Sequence, residues 1–450
     1  MNLLRSRKLI LIVGTMILTL SVTMVFQWIV FPQHNKSMNS SHLDSSMTTA
    51  YRQHAATSRE CTCEPTTNAS TLNQNNNNMQ KRRNQRVFPI TFFSNEYITH
   101  GRNYDSSWGM GALCGVYLQS YFSYNLKSTD MAKEGNHVET FPTIIGQEDR
   151  PGTYGHWRKY IILDQFLKSE ASNYIKEDDF VFFSDGLDVT FNGNVQHIKD
   201  VYYEYLKDEN FDVEKRENEN WPILFNSEKN KWPPLSLFKG IKNLDFNFLQ
   251  QHYVNNYPKN KPYCPSNSGF QYLNSGMYVA RKRDVKAYLV AAFNMVENPQ
   301  MIYNDDQAAV QIMYVAKSSS QYYPVLGDCR AAMGLPTYIA CDHLQVVNET
   351  YCHVSNKEIP ERIPIAMHSN GPKCDNFCPC VRAKSRSSKL KQFMDFEIEK
   401  QKGVSFTDLN INLKVLFYNS NSNKVNEIVL NGFCSAKLLF DIPNSGCIPK

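Results

Sequence analysis

The chain has 450 residues, room for one large domain or two ordinary ones. Its 48 Lys and Arg against 43 Asp and Glu give a net charge of +5, with the basic residues scattered apart from Lys81-Arg82-Arg83. That pattern disfavours a nucleic-acid-binding surface.

Residues 1–8 carry Arg5, Arg7 and Lys8 and read as a short cytoplasmic tail. Residues 9–31 form an uncharged apolar run of transmembrane length. By the positive-inside rule the remainder faces the lumen. A cleaved signal peptide is the competing reading, but the run is longer than a usual signal core and no small-x-small site follows it. A single-pass type II signal anchor is expected, in the Golgi or endoplasmic reticulum membrane.

Residues 32–86 are rich in Ser, Thr, Asn and Gln and read as a flexible stem. Sequons begin at Asn35, Asn39 and Asn68, with a fourth at Asn348. The 12 cysteines suit the same oxidising compartment. Cys61-Thr62-Cys63, in the stem, offers a crosslink between two chains, so a homodimer is one expectation. Cys374, Cys378 and Cys380 are spaced irregularly and have no nearby partner His, which favours disulfides over zinc.

Val87 to Ser94 reads as a first buried strand, Gly111 to Phe122 as a helix and Thr140 to Ile145 as a second strand. A helix is expected over His156 to Leu167, preceded by Gly152 and Gly155 and carrying Arg158 and Lys159 in its first turn, where a phosphate could be met. Phe180-Val181-Phe182-Phe183 then runs into Ser184-Asp185-Gly186-Leu187-Asp188. A short aromatic run of this kind suits a strand buried on both faces, and ligands gather past the carboxyl ends of such strands. Hard oxygens at Asp185 and Asp188 suit Mg²⁺ or Mn²⁺, and Gly186 lets the chain turn between them.

Val195 to Leu206 reads as a helix. Trp221 to Glu228 reads as a strand ending on a carboxylate, with Trp232-Pro233 close behind, an acid and an indole that together suit a sugar. Asn274-Ser275-Gly276 reads as a tight turn before a strand from Met277 to Ala280. Asp284 is expected to cap the next helix. Asn304-Asp305-Asp306-Gln307 opens another: the helix start accounts for one acid, and the second is the candidate for substrate contact. Ile363 to Met367 is a late strand, followed by His368-Ser369-Asn370-Gly371-Pro372. After Cys380 comes an extension, residues 381–450, with a helix near Leu390 to Glu399 and strands near Val415 and Ile428.

Taken together, five motifs in order resemble the glycosyltransferase domain of the collagen lysyl hydroxylases and related collagen hexosyltransferase-like sequences, over roughly Val87 to Pro372. The family's D-x-x-D is matched by Asp185 and Asp188, and its F-S-A-E with Trp-Pro by Phe225 to Glu228 and Trp232-Pro233. Its F-L-N-S-G is matched by Tyr272 to Gly276, its D-D-Q by Asp305 to Gln307, and its H-G-N-G-P by His368 to Pro372.

The resemblance implies a GT-A fold, a Rossmann-like α/β domain, over residues 87–380. It implies Mn²⁺ held by Asp185, Asp188 and His368. It further implies a UDP-sugar donor near Lys159 or Arg158, with Asn370, Gly371 and Lys373 toward the diphosphate. Glu228, Trp232, Asn274, Asp305, Asp306 and Gln307 would line the sugar or acceptor side. Asp305, Asp306 and Glu228 are the carboxylates left for catalysis. The activity implied is transfer of glucose or galactose to a hydroxyl acceptor on a protein or glycan, collagen-type hydroxylysine among them. Rival readings are a lumenal metal-dependent hydrolase and a non-catalytic binding module with the same fold. The departures are a shorter acidic run, a different stretch from Leu235 to Ser268, Ser369 in place of a glycine, and no hydroxylase signature after Cys380.

Overall fold

The computed structural model describes residues 84–94, 110–126, 139–147, 157–234, 267–296, 305–316, 322–371 and 374–440, with isolated positions between them. The expected anchor and most of the stem, the sequons at Asn35, Asn39 and Asn68, the glycines Gly152 and Gly155, and Lys373 all lie outside the described residues. Among the described residues, no helix is long and apolar enough to cross a membrane.

Thirteen strands alternate with helices among those residues. They are β1 (Val87–Phe92), β2 (Thr143–Ile145), β3 (Phe180–Asp185), β4 (Val189–Phe191), β5 (Ile223–Glu228), β6 (Tyr272–Arg281), β7 (Val325–Asp328), β8 (Gly334–Pro336), β9 (Leu344–Asn348), β10 (Tyr351–Val354), β11 (Ala366–His368), β12 (Lys414–Asn419) and β13 (Lys424–Val429). The principal helices are α1 (Gln119–Asn125), α2 (Arg158–Lys168), α3 (Ile198–Asp208), α4 (Lys282–Met295), α5 (Asp306–Val315), α6 (Phe377–Arg386) and α7 (Lys389–Lys400). The helix expected from Gly111 is wound more widely over Leu113–Leu118, with i→i+5 hydrogen bonding, before α1.

Eight strands form one sheet in the order β13-β12-β2-β1-β3-β6-β5-β7. β1 pairs in parallel with β2 and β3, β12 with β2, and β5 with β7. β6 is antiparallel to both its neighbours, and β13 to β12. Six strands therefore share one direction, a mixed α/β arrangement compatible with a Rossmann-like fold.

The aromatic run in β3 shows why the sheet lies inside. Phe180 and Phe182 point into one apolar cluster, with α1, α3 and α7 residues such as Tyr121, Tyr202 and Phe393. Val181 and Phe183 point into the other, with Tyr160, Tyr288 and Met313 from α2, α4 and α5. A strand covered on both sides has no polar face to alternate with.

Three sequence expectations are corrected. Asn274-Ser275-Gly276 is not a tight turn: β6 runs unbroken through it, with a bulge where β5 pairs at Phe225 and Asn226. The bulge re-aims polar side chains without ending the strand. Asp284 is not the cap of α4. The capping position is Arg281, and Asp284 sits in the first turn, where its carboxylate holds the Arg281 guanidinium and accepts from the Trp221 N–H at 2.9 Å. The boundary at Cys380 divides the sequence but not the packed body. β12 and β13 extend the main sheet beyond β2, and a Cys114–Cys434 disulfide ties the extension to the turn before α1. The extension buries Val415, Leu416, Phe417 and Tyr418, and so belongs to the core.

The other described disulfides are Cys264–Cys329, Cys341–Cys374 and Cys352–Cys380. Four bridges are what a secreted or lumenal protein carries. The sequon at Asn348 sits at the exposed β9–β10 turn, where Asn348 Oδ1 accepts from the Thr350 N–H at 2.9 Å.

Candidate metal centre and the cleft around it

The site forms at the carboxyl edge of β3. Asp185 pairs in register with Phe92, and the Gly186 N–H donates to the Phe92 carbonyl at 3.0 Å. A β-carbon on Gly186 would lie 2.7 Å from that carbonyl oxygen, so the glycine serves close approach of two backbones. The chain then enters β4. A small second sheet, in the order β4-β11-β8, brings the late strand back beside it. His368 at the end of β11 pairs with Val189, and the Ser369 N–H donates to the Asp188 carbonyl at 2.8 Å. A residue 180 positions away thereby meets the D-x-x-D.

Asp185, Asp188 and His368 each offer a ligand atom, all within 4.8 Å of one another. His368 Nε2 lies 3.4 Å from Asp188 Oδ2 and 4.0 Å from Asp185 Oδ2. The imidazole is buried against Gly276, where a β-carbon would stand 2.2 Å from its Cε1. The glycine of the β6 motif is therefore required by the histidine of the β11 motif.

Lys159, in the first turn of α2, is buried with its ammonium 3.3 Å from Asp185 and 3.1 Å from Asp306. It joins the two acidic motifs, whereas Arg158 does not line the cleft. Burial pushes the Asp185 carboxyl above its usual range, with Asp188 adding to the shift and Lys159 opposing it. Burial works against protonation of His368, yet Asp188 and Asp185 outweigh it and hold the imidazole above its ordinary pKa.

Glu228 ends β5 and is buried. It accepts from three amides: Asn274 Nδ2 at 3.1 Å, Gln307 Nε2 at 2.8 Å and Asn370 Nδ2 at 2.5 Å. Burial raises its pKa to about 7, moderated by the Gln307 and Asn274 bonds. Asp305 caps α5, accepting at Oδ1 from the Gln307 and Ala308 N–H groups, and its Oδ2 accepts from the Trp232 indole at 3.2 Å. The Trp232 ring stands 43% exposed at the rim. Asp305 is the helix cap of the pair, and Asp306 turns inward to Lys159; both line the cleft.

These residues line one cleft of about 460 Å³. Of the expected site residues, Asp185, Asp188, His368, Lys159, Glu228, Trp232, Asn274, Asp305, Asp306, Gln307, Asn370 and Gly371 all reach it. Phe92 and Tyr338 line it too. Tyr338 packs beside Gly371, whose φ of +124° suits glycine. No local pattern marks Tyr338, because only the parallel pairing of β8 with β11 brings it near.

The donor set fits a divalent cation. Two carboxylates and an imidazole are donors that a divalent metal ion can take together. Asp188 Oδ1 and His368 Nδ1 are buried without hydrogen-bond partners, and unpaired buried polar atoms are costly unless a ligand or ion completes them.

A scan against protein-family models and a search of curated protein sequences return no match for this chain.

Proposed function

We propose that the chain is a divalent-metal-dependent glycosyltransferase of GT-A fold, moving glucose or galactose from a UDP-sugar to a hydroxyl of a protein or glycan acceptor. It would act in the lumen of the endoplasmic reticulum or Golgi, on the expected type II anchor. The observation that carries the reading is the convergence of Asp185, Asp188 and His368 in a cleft that also holds Glu228, Asn274, Trp232 and the Asp305-Asp306-Gln307 corner. A metal carboxylate site beside hydroxyl-binding acids and an open indole is the combination a nucleotide-sugar needs.

Asp185, Asp188 and His368 would hold Mn²⁺, which when bound supplies Lewis acidity toward the diphosphate. Lys159 keeps two carboxylates at fixed separation and offsets part of their repulsion. Glu228, gripped by three amide donors, orients Asn274, Gln307 and Asn370; it is a positioning residue in this geometry. The Trp232 ring, fixed by its bond to Asp305, presents a flat apolar face for a sugar. Asp305, Asp306 and Glu228 are each engaged by protein partners, which supports an outcome with retention over one that needs a free carboxylate base.

The test is release of UDP by the full chain, with Mn²⁺ and each common UDP-sugar in turn, with and without chelator. Chelator-sensitive release from one donor is the expected result and names the sugar. No release from any donor, with hydroxylysine and galactosyl-hydroxylysine peptides present as acceptors, rejects the reading.

A further inference from the structure

A cavity of about 350 Å³, sharing no lining residue with the cleft, is enclosed by α1, the β9–β10 hairpin, the last turn of α6 and the start of α7. No carboxylate is among the described residues that line it. Its deepest charge is Lys384. The ammonium donates to Asn192 Oδ1 and stands 6.0 Å from the centre of the Tyr124 ring. No ion pair is formed by Lys384 among the described residues, and Asn192 Nδ2 is buried with no hydrogen-bond partner. The titratable groups facing the cavity from the surrounding elements are Tyr124, Tyr351, His353 and Lys389, none of which is a carboxylate.

A sheltered cation without a counter-charge is unfavourable. The lone amide donor beside it adds a second unsatisfied demand, and both demands are for the same thing, an acceptor carrying negative charge. We infer that this cavity binds an oxyanion group, a phosphate, sulfate or carboxylate, borne on a small polar molecule of about sugar size. Its volume falls at the lower end of small-ligand pockets. The Ser387 hydroxyl donates to the Thr350 backbone carbonyl at 2.8 Å, which ties the junction of α6 and α7 to the β9–β10 turn and stiffens the wall. Burial alone lowers the Lys384 pKa to about 7, and a bound oxyanion would raise it again.

The test is equilibrium dialysis of the full chain at constant ionic strength against labelled phosphate, sulfate and glucuronate, with glucose as the neutral control. At least one oxyanion is expected to bind and glucose not; the preferred one names the source of the charge. Lys384→Met is expected to weaken binding about tenfold or more, the worth of one hydrogen bond to a charged group. Asn192→Asp, which keeps the shape but supplies the missing carboxylate, should weaken it likewise. Sulfate keeps its charge, so its affinity should fall as pH rises through about 7 in the native chain and stay flat in Lys384→Met. The inference is overturned if none of the three oxyanions binds, or if either variant, still folded by circular dichroism, binds as tightly as the native chain.

Discussion

The two ends of β6 hold two buried clusters of charge that are solved in opposite ways. At the far end, Arg281 lies with its guanidinium 3.5 Å from the centre of the Trp221 ring and bonded to Asp284 and to the Glu217 and Glu219 carbonyls. Asp284 in turn accepts from Trp221 and is approached by the Tyr323 hydroxyl. Charge there is matched and every partner is protein. At the near end, five carboxylates line the cleft with one ammonium and one imidazole. The first arrangement holds the fold together. The second gathers more carboxylates than cations, and it meets that excess with raised carboxyl pKa values and with a group of ligand atoms that could hold a metal ion.

The sharpest way to break the comparison is at the balanced end. Asp284→Ala removes the buried carboxylate that pairs with Arg281, leaving only the more distant Asp178 at 4.0 Å, and should destabilise the protein by about 3 kcal/mol, read by denaturant unfolding. The double variant Arg281→Met with Asp284→Leu should recover most of that loss; if it does not, the cluster contributes more than matched charge.

At the unbalanced end the same chemistry gives a different outcome. Asp188→Asn should lower Mn²⁺ affinity and UDP-sugar turnover by about a hundredfold or more, while changing the stability of the metal-free protein little, because repulsion from Asp185 is lost together with the attraction to His368. Manganese titration followed by electron paramagnetic resonance, beside a melting curve, separates the two effects. Full activity in this variant would overturn the metal assignment.

Gly276→Ala is milder and links the two motifs. Its β-carbon would press on His368, so Mn²⁺ affinity should fall about tenfold, within the range seen when a ligand's support is disturbed. Unchanged affinity would mean that His368 is free to move aside.

The smallest effect concerns pH. Glu228 titrates at about 7 in the fold against about 4.5 unfolded, so between these values the native state keeps a proton that the unfolded chain has released. Stability of the chelated protein should therefore fall as pH rises from about 4.5 to about 7 and level off above, with a slope of up to about 1.4 kcal/mol per pH unit. Glu228→Gln should reduce that slope, leaving the part due to Asp185 and His368, and pH-dependent urea unfolding would read the difference.

Much of the cleft was legible because its pieces are local. Phe180 to Asp188 announces a doubly buried strand ending on carboxylates, since two-sided burial and the two following acids are both written in adjacent residues. His368 could be suspected because it ends a strand before Asn370 and Gly371. The Asp305-Asp306 pair carried a helix start and an inward acid in one dipeptide. The errors arose where a local pattern had two solutions. Asn274-Ser275-Gly276 has turn composition, but the β5 bulge and the space needed by His368 keep it in a strand. Asp284 has capping chemistry, but the buried Arg281 claims it.

The sequence by itself determined the two-faced strands and the order of the acidic motifs, because each depends on neighbours in the chain. Only the tertiary structure decided which cysteines pair, that the last strands complete the main sheet, that Lys159 bridges Asp185 and Asp306, and that Lys384 faces a cavity without an acid. Those are contacts between residues as much as 320 positions apart, as in the Cys114–Cys434 bridge. They depend on which surfaces the sheet brings together, and no local pattern encodes that.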